Sequence, residues 1–159
     1  MKPIFFLPLP VAEKRKRMKD VFVEGPIDPE RIADSIAAHQ KKKNIGAHHI
    51  FLGQVRADEL HGRRVEAIEY SAQKEIANKV IHEIREEAFE RFELSCLHIY
   101  HSLGIVDAGA ICFFVFVSSA HRHQSREALA FLVDAVKARA PIFGKELLED
   151  GGHQWKRNK

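Results

Sequence analysis

The chain of 159 residues contains little cysteine: only Cys96 and Cys112 are present. Each lies in or beside an apolar stretch typical of a strand, so we expect two buried free thiols and no disulfide. Free thiols are typical of a reduced compartment, which here predicts the cytoplasm. A chain of this length forms about one domain and buries enough surface to fold without cross-links.

Long apolar runs are also lacking. The apolar stretch over residues 4–12 is interrupted by Pro8 and Pro10, is far shorter than a membrane span, and has its basic cluster after it. The sequence therefore predicts neither a membrane span nor a convincing targeting signal. It also has no internal repeat, no low-complexity segment and no Gly-x-Ser-x-Gly elbow of a serine hydrolase.

The small excess of positive charge is confined to the N-terminus. The whole chain carries +3, and residues 1–17 carry +4, so the remainder carries −1. This distribution disfavours a nucleic-acid-binding protein, which we keep only as a third hypothesis for the function, behind two that are given below. We expect residues 1–17 to be a disordered extension before a single domain over residues 18–159, and Met18 would be a natural start.

Hydrophobic periodicity predicts alternating strands and helices. Strand-like runs cover residues 21–24, 47–56, 65–70, 97–106 and 110–118. Helical patterns cover residues 29–42, with Asp28 as N-cap, then 71–91, and a segment that follows Ser118 and Ser119 as N-caps and ends before Pro141. Residues 57–64 are predicted to form a mobile polar loop.

Each predicted helix has an expected inner stripe, and one strand is apolar throughout. The inner residues are predicted to be Ile32, Ile36 and Ala37 in the first helix, Ile76, Val80, Ile84 and Ala88 in the second, and Leu129, Leu132, Val133 and Val136 in the third. Residues 111–117 are apolar at every position, which predicts a central strand covered on both faces.

Cationic side chains occur at both ends of the third helix. His121 and Arg122 lie near its first turn, where backbone N–H groups attract anions, although both residues are equally typical of a solvated surface. Lys137 lies in the last turn, where a lysine ordinarily complements the helix dipole. Arg56 ends a strand, a position that suits either a functional side chain or an ordinary exposed arginine. These residues suggest a pocket for an anionic ligand.

Metal and thiol chemistry receive little support from the sequence. Three histidine pairs invite a zinc interpretation, but no cysteine or carboxylate recurs beside them at ligand spacing: His48 with His49, His98 with His101, and His121 with His123. We therefore expect no metal site. The apolar surroundings of both cysteines also disfavour a thiolate nucleophile.

Four segments together resemble the large, catalytic subunit of molybdopterin synthase. They are Phe51-Leu52-Gly53-Gln54-Val55-Arg56, Ser119-Ala120-His121-Arg122, Lys137-Ala138-Arg139-Ala140-Pro141-Ile142-Phe143 and Lys145-Glu146. The resemblance covers about residues 18–157. It implies an α+β fold of the α/β hammerhead type, in which helices pack on a mixed, largely antiparallel sheet.

The resemblance also implies a function and its partners. A small ubiquitin-like subunit would deliver sulfur as a C-terminal thiocarboxylate, and two sulfurs would pass to cyclic pyranopterin monophosphate to form molybdopterin. The chain would form a homodimer within a heterotetramer and need no cofactor of its own. The implied catalytic residues are Lys137 and Lys145, and the implied substrate-binding residues are Gln54, Val55, Arg56, His121, Arg122 and Glu146.

One position departs from the family pattern. A second catalytic lysine would align with Gly144 in this chain, and we expect the neighbouring Lys145 to replace it, since glycine lets the backbone bend. The alternative function is a non-catalytic module that binds the ubiquitin-like carrier or a phosphorylated ligand. The C-terminal Trp155, Lys156 and Lys159 receive no assignment beyond a possible reach into a neighbouring protomer.

Overall fold

The computed structural model describes residues 18–157, and within them the chain forms eight strands and three helices. In chain order these are β1 (Phe22–Glu24), α1 (Pro29–His39), β2 (Ala47–Gln54), β3 (Glu59–Leu60), β4 (Arg63–Ala72), α2 (Lys74–Arg91), β5 (Cys96–Asp107), β6 (Ile111–Ser119), α3 (Arg122–Arg139), β7 (Ile142–Leu148) and β8 (His153–Trp155). The extension expected over residues 1–17 and the terminal Lys159 lie outside the described residues.

The strands form one mixed sheet in the order β2-β6-β5-β4-β7-β8, in which every neighbouring pair is antiparallel. The short β1 adds a parallel pairing with β5, and β3 pairs with β4. This arrangement confirms the predicted α+β class with a mixed, largely antiparallel sheet.

The apolar strand β6 is central and supplies both layers of the core. Because successive side chains of a strand point to opposite faces, Phe113, Val115 and Val117 enter the main core with α2 and α3. Phe114 and Phe116 enter a smaller core on the other face, which contains Ile32 of α1. The prediction that this strand is covered on both faces is confirmed.

The inner faces of two helices differ from the predicted stripes. In α1 the buried residues are Ile32 and His39, whereas Ile36 is 37% exposed and Ala37 is exposed. In α2 the buried residues are Ala77, Ile81, Ile84 and Ala88, and Ile76 is exposed. Both sets are compatible with a helical period.

Two regions contain strands that periodicity did not predict. Residues 59–64 form the β3–β4 hairpin, because His61 and Gly62 both have positive φ, as a two-residue type I′ turn requires. Residues after Pro141 form β7, in which Gly144, Glu146 and Leu148 are buried in alternation. The prediction of a mobile loop over residues 57–64 was therefore wrong for residues 59–64, which form the hairpin.

The cysteine prediction is confirmed, because Cys96 and Cys112 are both buried and free. Among residues 18–157, no helix is both long and apolar enough to cross a membrane.

Candidate active site

A cavity of about 450 Å³ lies between the C-terminal end of α3 and the sheet. Its lining includes Gln54 from β2, His101 from β5, Lys137 from α3, Gly144 from β7 and Lys156, which directly follows β8. Residues far apart in the chain thus meet at one end of the sheet, with two lysines among them.

The packing of α3 positions Lys137 at this cavity. Leu132, Ala135 and Val136 are buried against the sheet, and Lys137 follows them in the last turn as an exposed residue that lines the cavity. The helix ends at Arg139, just before Pro141, which cannot continue a helix. The lysine is therefore presented by a rigid element, and its charge is favoured there by the helix dipole.

His101 is a buried member of the cavity wall that sequence reasoning did not select. Its Nδ1 lies 2.8 Å from the carbonyl oxygen of Ser102, and because a carbonyl only accepts, Nδ1 carries the proton. Burial, together with the charges of Lys137 and Lys156, lowers its pKa to about 4, although the hydrogen bond to Ser102 acts in the opposite direction. The ring is therefore neutral at pH 7, with Nε2 as an acceptor.

A chain of weak hydrogen bonds forms another part of the wall. The Tyr70 hydroxyl donates to Cys112 Sγ at 3.4 Å, and that thiol donates to the carbonyl oxygen of Gly53 at 3.4 Å. Burial raises the pKa of the Tyr70 hydroxyl, and the neighbouring Cys112 and Glu146 raise it further. The phenol therefore stays protonated and acts as a donor.

Gly144 makes room for Lys156. The Lys156 N–H donates to the carbonyl oxygen of Gly144 at 2.8 Å, which continues the β7–β8 ladder by one residue. A Cβ at position 144 would lie 3.1 Å from Ile68 Cγ2, 3.3 Å from Tyr70 Cε1 and 3.7 Å from Lys156 Cβ. The absence of a side chain at Gly144 thus leaves this part of the cavity to its cross-strand neighbour.

Lys145 lies on the opposite face of β7. Its Nζ forms an ion pair with Glu69 Oε1 at 2.9 Å and lies 6.0 Å from the centre of the Trp155 ring. Lys145 is not among the cavity-lining residues, although Phe143 and Trp155, which lie on the same face of the sheet as Lys145, border the cavity. The expected replacement of the lysine at position 144 by Lys145 stays a prediction, and in this structure Lys145 is paired with Glu69.

The predicted substrate-binding residues at this end separate into different environments. Gln54 is exposed and lines the cavity. Arg56 has a side chain that is 77% exposed and pairs with Asp58 at 3.1 Å. Val55 is 1% exposed in the main core, with its backbone bonded to Gly109 and Ala110, so it has no side-chain surface for a substrate. Glu146 is also buried, at 7% exposure, and lies outside the cavity lining.

His121 and Arg122 lie in a second cavity at the other end of α3. This cavity encloses about 370 Å³ and also includes Arg126. The N-cap residue is His121, and not Ser118 or Ser119 as predicted. Ser119 Oγ nevertheless accepts a hydrogen bond from the N–H of Ser125 near the start of the helix. The helix has 18 residues and is therefore about 25 Å long, so a single protomer cannot bring its own His121 and Arg122 to Lys137.

Known proteins share both the sequence and the fold. The family model of the MoaE protein matches residues 22–139. The chain belongs to the MoaE family. A molybdopterin synthase catalytic subunit from Pyrococcus abyssi is 42% identical over 102 residues, which cover 64% of this chain and 68% of that protein. The one from Bos taurus is 36% identical over 114 residues, covering 72% of this chain and 60% of the bovine protein, which is less than two thirds of its length.

Solved structures in the same family have the same architecture. Molybdopterin synthase from Staphylococcus aureus matches with a TM-score of 0.75 at 28% identity, covering 89% of this chain and 99% of that chain. A complex of subunits 1 and 2 of molybdopterin-converting factor from Helicobacter pylori matches with a TM-score of 0.74 at 19% identity, covering 87% and 90%, which shows the fold alone.

Membership of the MoaE family confirms the predicted family and fold. It also confirms the predicted class of enzyme, a sulfurtransferase subunit of molybdenum cofactor biosynthesis. The roles of individual residues remain predictions.

Proposed function

We propose that this chain transfers sulfur from the C-terminal thiocarboxylate of a small ubiquitin-like carrier to cyclic pyranopterin monophosphate, which yields molybdopterin. The observation that carries this proposal is the pair of lysines, Lys137 and Lys156, that line one cavity beside a neutral His101. A cavity with two cations suits an anionic acyl group and a phosphorylated substrate. The carrier supplies the sulfur, so neither Cys96 nor Cys112 has to act as a sulfur donor.

The chemistry requires charge stabilisation at the acyl carbon. The thiocarboxylate sulfur attacks a substrate carbon that bears oxygen, the carbon–oxygen bond breaks and the oxygen leaves with a proton, and the carrier is then held through a thioester. Water attacks the acyl carbon, the carbon–sulfur bond breaks, the carrier leaves as a carboxylate, and the sulfur stays on the substrate. Negative charge develops on the acyl oxygen during this attack, and the Lys137 ammonium stabilises it. Two carriers in succession supply the two sulfurs.

We assign the second cation of the site to Lys156 instead of Lys145. Lys156 lines the cavity, and its charge lowers the pKa of His101 together with that of Lys137. Lys145 is paired with Glu69 on the other face of β7. Lys156, which follows β8, thus supplies the cation that glycine at position 144 lacks. It helps to hold the carrier's acyl group or the substrate phosphate.

A second protomer completes the site. Gln54 pairs with Ile111, which places it and the nearby Arg56 at the same end of the sheet as Lys137. His121 and Arg122 lie at the far end of α3 and cannot reach Lys137 in the same chain. In a homodimer, the pocket with His121 and Arg122 from one protomer lies beside the Lys137 cavity of the other, where it binds the substrate phosphate and pterin.

The tail of the carrier enters beside an exposed aromatic pair. Phe143 and Trp155 border the cavity and are 49% and 57% exposed. Aromatic side chains are frequent anchors in protein interfaces, and here they flank the entrance to two cations that suit a C-terminal thiocarboxylate. The two-subunit complex of the Helicobacter pylori relative supports a small-subunit partner, which would make a heterotetramer with the homodimer.

The test is molybdopterin formation from purified chain, thiocarboxylated small subunit and cyclic pyranopterin monophosphate. We expect product with the unmodified chain and a large loss with Lys137→Ala. Lys74→Ala serves as a matched control, because that lysine pairs with Asp20 on the surface. Tight binding of the small subunit without product would contradict catalysis and leave the alternative, a non-catalytic binding module.

A further inference from the structure

We propose that His39, Cys96 and His98 form a zinc site on the face of the sheet opposite to the Lys137 cavity. Their ligand atoms, one from each residue, all lie within 4.8 Å of one another. Thiolate and imidazole are both ligands that Zn²⁺ takes in proteins. The site joins the last residue of α1 to the first and third residues of β5.

The alternation of β5 separates this cluster from the active-site cavity. Cys96 and His98 are two residues apart, so they share a face, and the intervening Leu97 belongs to the main core beneath α2 and α3. His101 is four residues from Leu97, so it lies on the same face of β5 as Leu97, and it lines the cavity. The cluster therefore lies outside the proposed catalytic site, and a metal bound there would act on the structure.

The distance between the two imidazoles is close to that in a metal site. His39 Nε2 and His98 Nε2 are 3.0 Å apart. Two nitrogens at about 2.0–2.1 Å from a tetrahedral Zn²⁺ are about 3.3–3.4 Å apart, so a shift of a few tenths of an ångström would admit the ion. Cys96 supplies the third ligand, and a water can occupy the fourth position.

A hydrogen bond already sets the tautomer of His39. Its Nδ1 lies 2.6 Å from the carbonyl oxygen of Ser35, which can only accept, so Nδ1 carries the proton and the Nε2 lone pair points to His98. Metal-binding histidines commonly donate their other ring N–H in this way. In the metal-free chain, His98 Nε2 donates its proton to His39, and Zn²⁺ would take the place of that proton.

The orientation of α1 provides an independent observation. The helix buries His39 to 7% exposure, where its ring also packs on Phe116 at 4.6 Å between ring centres, and leaves the apolar Ile36 at 37% exposure. The helix thus directs an imidazole, and not the available isoleucine, toward Cys96 and His98. A metal ligand at this position accounts for that choice.

Lys42 is the competitor for the sulfur. Its Nζ lies 2.7 Å from Cys96 Sγ, and the residue is exposed. The ammonium can therefore swing into water when a cation binds the thiolate. The expected consequence is a site of moderate affinity that ties α1 to the sheet.

The experiment uses the full chain without an affinity tag, stripped of metal and titrated with Co²⁺ as a spectroscopic probe and with Zn²⁺. We expect one Co²⁺ per chain with a sulfur-to-cobalt charge-transfer band, displacement by Zn²⁺, and an increase in Tm of about 5 °C at a hundredfold excess over Kd. Cys96→Ser should abolish the charge-transfer band, and His39→Ala should weaken binding at least tenfold.

Two matched variants test whether the effect belongs to this cluster. Cys112→Ser removes the other thiol and His82→Ala removes an unrelated histidine, so both should retain the band and the one-to-one stoichiometry. The proposal is overturned if the unmodified chain gives no thiolate band or if Cys96→Ser keeps it. Circular dichroism of each metal-free variant confirms that it is folded, and His98→Asn provides a second ligand change if His39→Ala is not.

Discussion

Lys156 lies directly opposite Gly144, with its backbone N–H 2.8 Å from the glycine carbonyl oxygen, and its Cβ lies 3.7 Å from the place that a Cβ at position 144 would take. The family pattern implies a lysine at position 144. In this chain position 144 is glycine, and Lys156, which directly follows β8, lines the cavity together with Lys137.

Three alanine variants distinguish the lysines. Lys137→Ala should lower kcat by about 10² to 10³, because one preorganised group that stabilises transition-state charge is worth about that much. Lys156→Ala should lower kcat/KM by at least about tenfold, whereas Lys145→Ala should retain most activity since that lysine pairs with Glu69 on the other face. Steady-state molybdopterin formation measures all three, and the reverse order for Lys145 and Lys156 would refute the assignment.

Gly144→Ala tests the crowding at the same place. The added methyl group would lie 3.1 Å from Ile68 Cγ2 and 3.3 Å from Tyr70 Cε1, so the neighbours must shift. We expect the free energy of unfolding to fall by about 1–3 kcal/mol. Urea denaturation measures the change. Gly151→Ala is not a suitable control, because the backbone at Gly151 has a φ of 83° and an alanine there would be strained. Ala138→Gly, at an exposed position of α3, gives the size of a simple glycine effect.

The stability should depend on pH through His101. Its pKa of about 4 in the folded chain lies below the ordinary 6.5, because burial disfavours the charged ring. The unfolded chain therefore binds more protons between these values, and stability is full above about pH 6.5 and is lost as pH falls toward 4. The loss is on the order of 3 kcal/mol.

Urea denaturation at pH 7.5 and pH 4.5 checks this prediction in the unmodified chain and in His101→Gln. The variant should lose less stability on acidification, since it lacks the titrating ring. His98, whose pKa is also lowered to about 4 by burial, adds a loss of the same sign in both proteins, so the difference between them isolates His101. An identical pH dependence in the two proteins would contradict the prediction.

Mixing two inactive variants tests the composite site. In a mixed dimer of Lys137→Ala and Arg122→Ala protomers, one of the two sites receives an intact Lys137 and an intact Arg122 from different chains. Random exchange makes half of the dimers mixed, so we expect about one quarter of the unmodified activity. Lys137→Ala mixed with Lys156→Ala is the control, because both residues lie in one cavity.

Activity in the first mixture supports a site that two protomers share. If neither mixture recovers activity beyond the separate variants, His121 and Arg122 act elsewhere. If both mixtures recover activity, the Lys137 and Lys156 of one active site also come from different protomers.

Much of the fold was predictable because its signals are local. Asp28 caps α1 through a hydrogen bond to Glu30, Gly109 takes a positive φ in the β5–β6 connection, and the uniformly apolar β6 is buried on both faces. The β3–β4 hairpin was missed because its turn needs a positive φ at His61, a conformation that is uncommon for non-glycine residues. The inner stripe of α1 was misjudged since hydrophobicity favoured Ile36 over His39.

The candidate site was predictable only in part, because it depends on contacts between distant segments. Lys137 was found from its motif, and it lines the cavity. Lys156 and His101 were not selected, since nothing near them in sequence shows that the sheet brings them to Lys137. The prediction for Lys145 used proximity along the chain, and its role stays a prediction, since neighbouring residues of a strand point to opposite faces.

The strand β8 has only three residues and pairs with β7 at the edge of the sheet. Short edge strands open locally at a smaller free-energy cost than the core does. Opening of β8 would carry Lys156 away from the cavity while α3 and β6 remain packed. On heating, the rate of sulfur transfer should therefore decrease at a lower temperature than the Tm of the domain. A bulky fusion placed beside Lys156 should abolish activity without unfolding the protein.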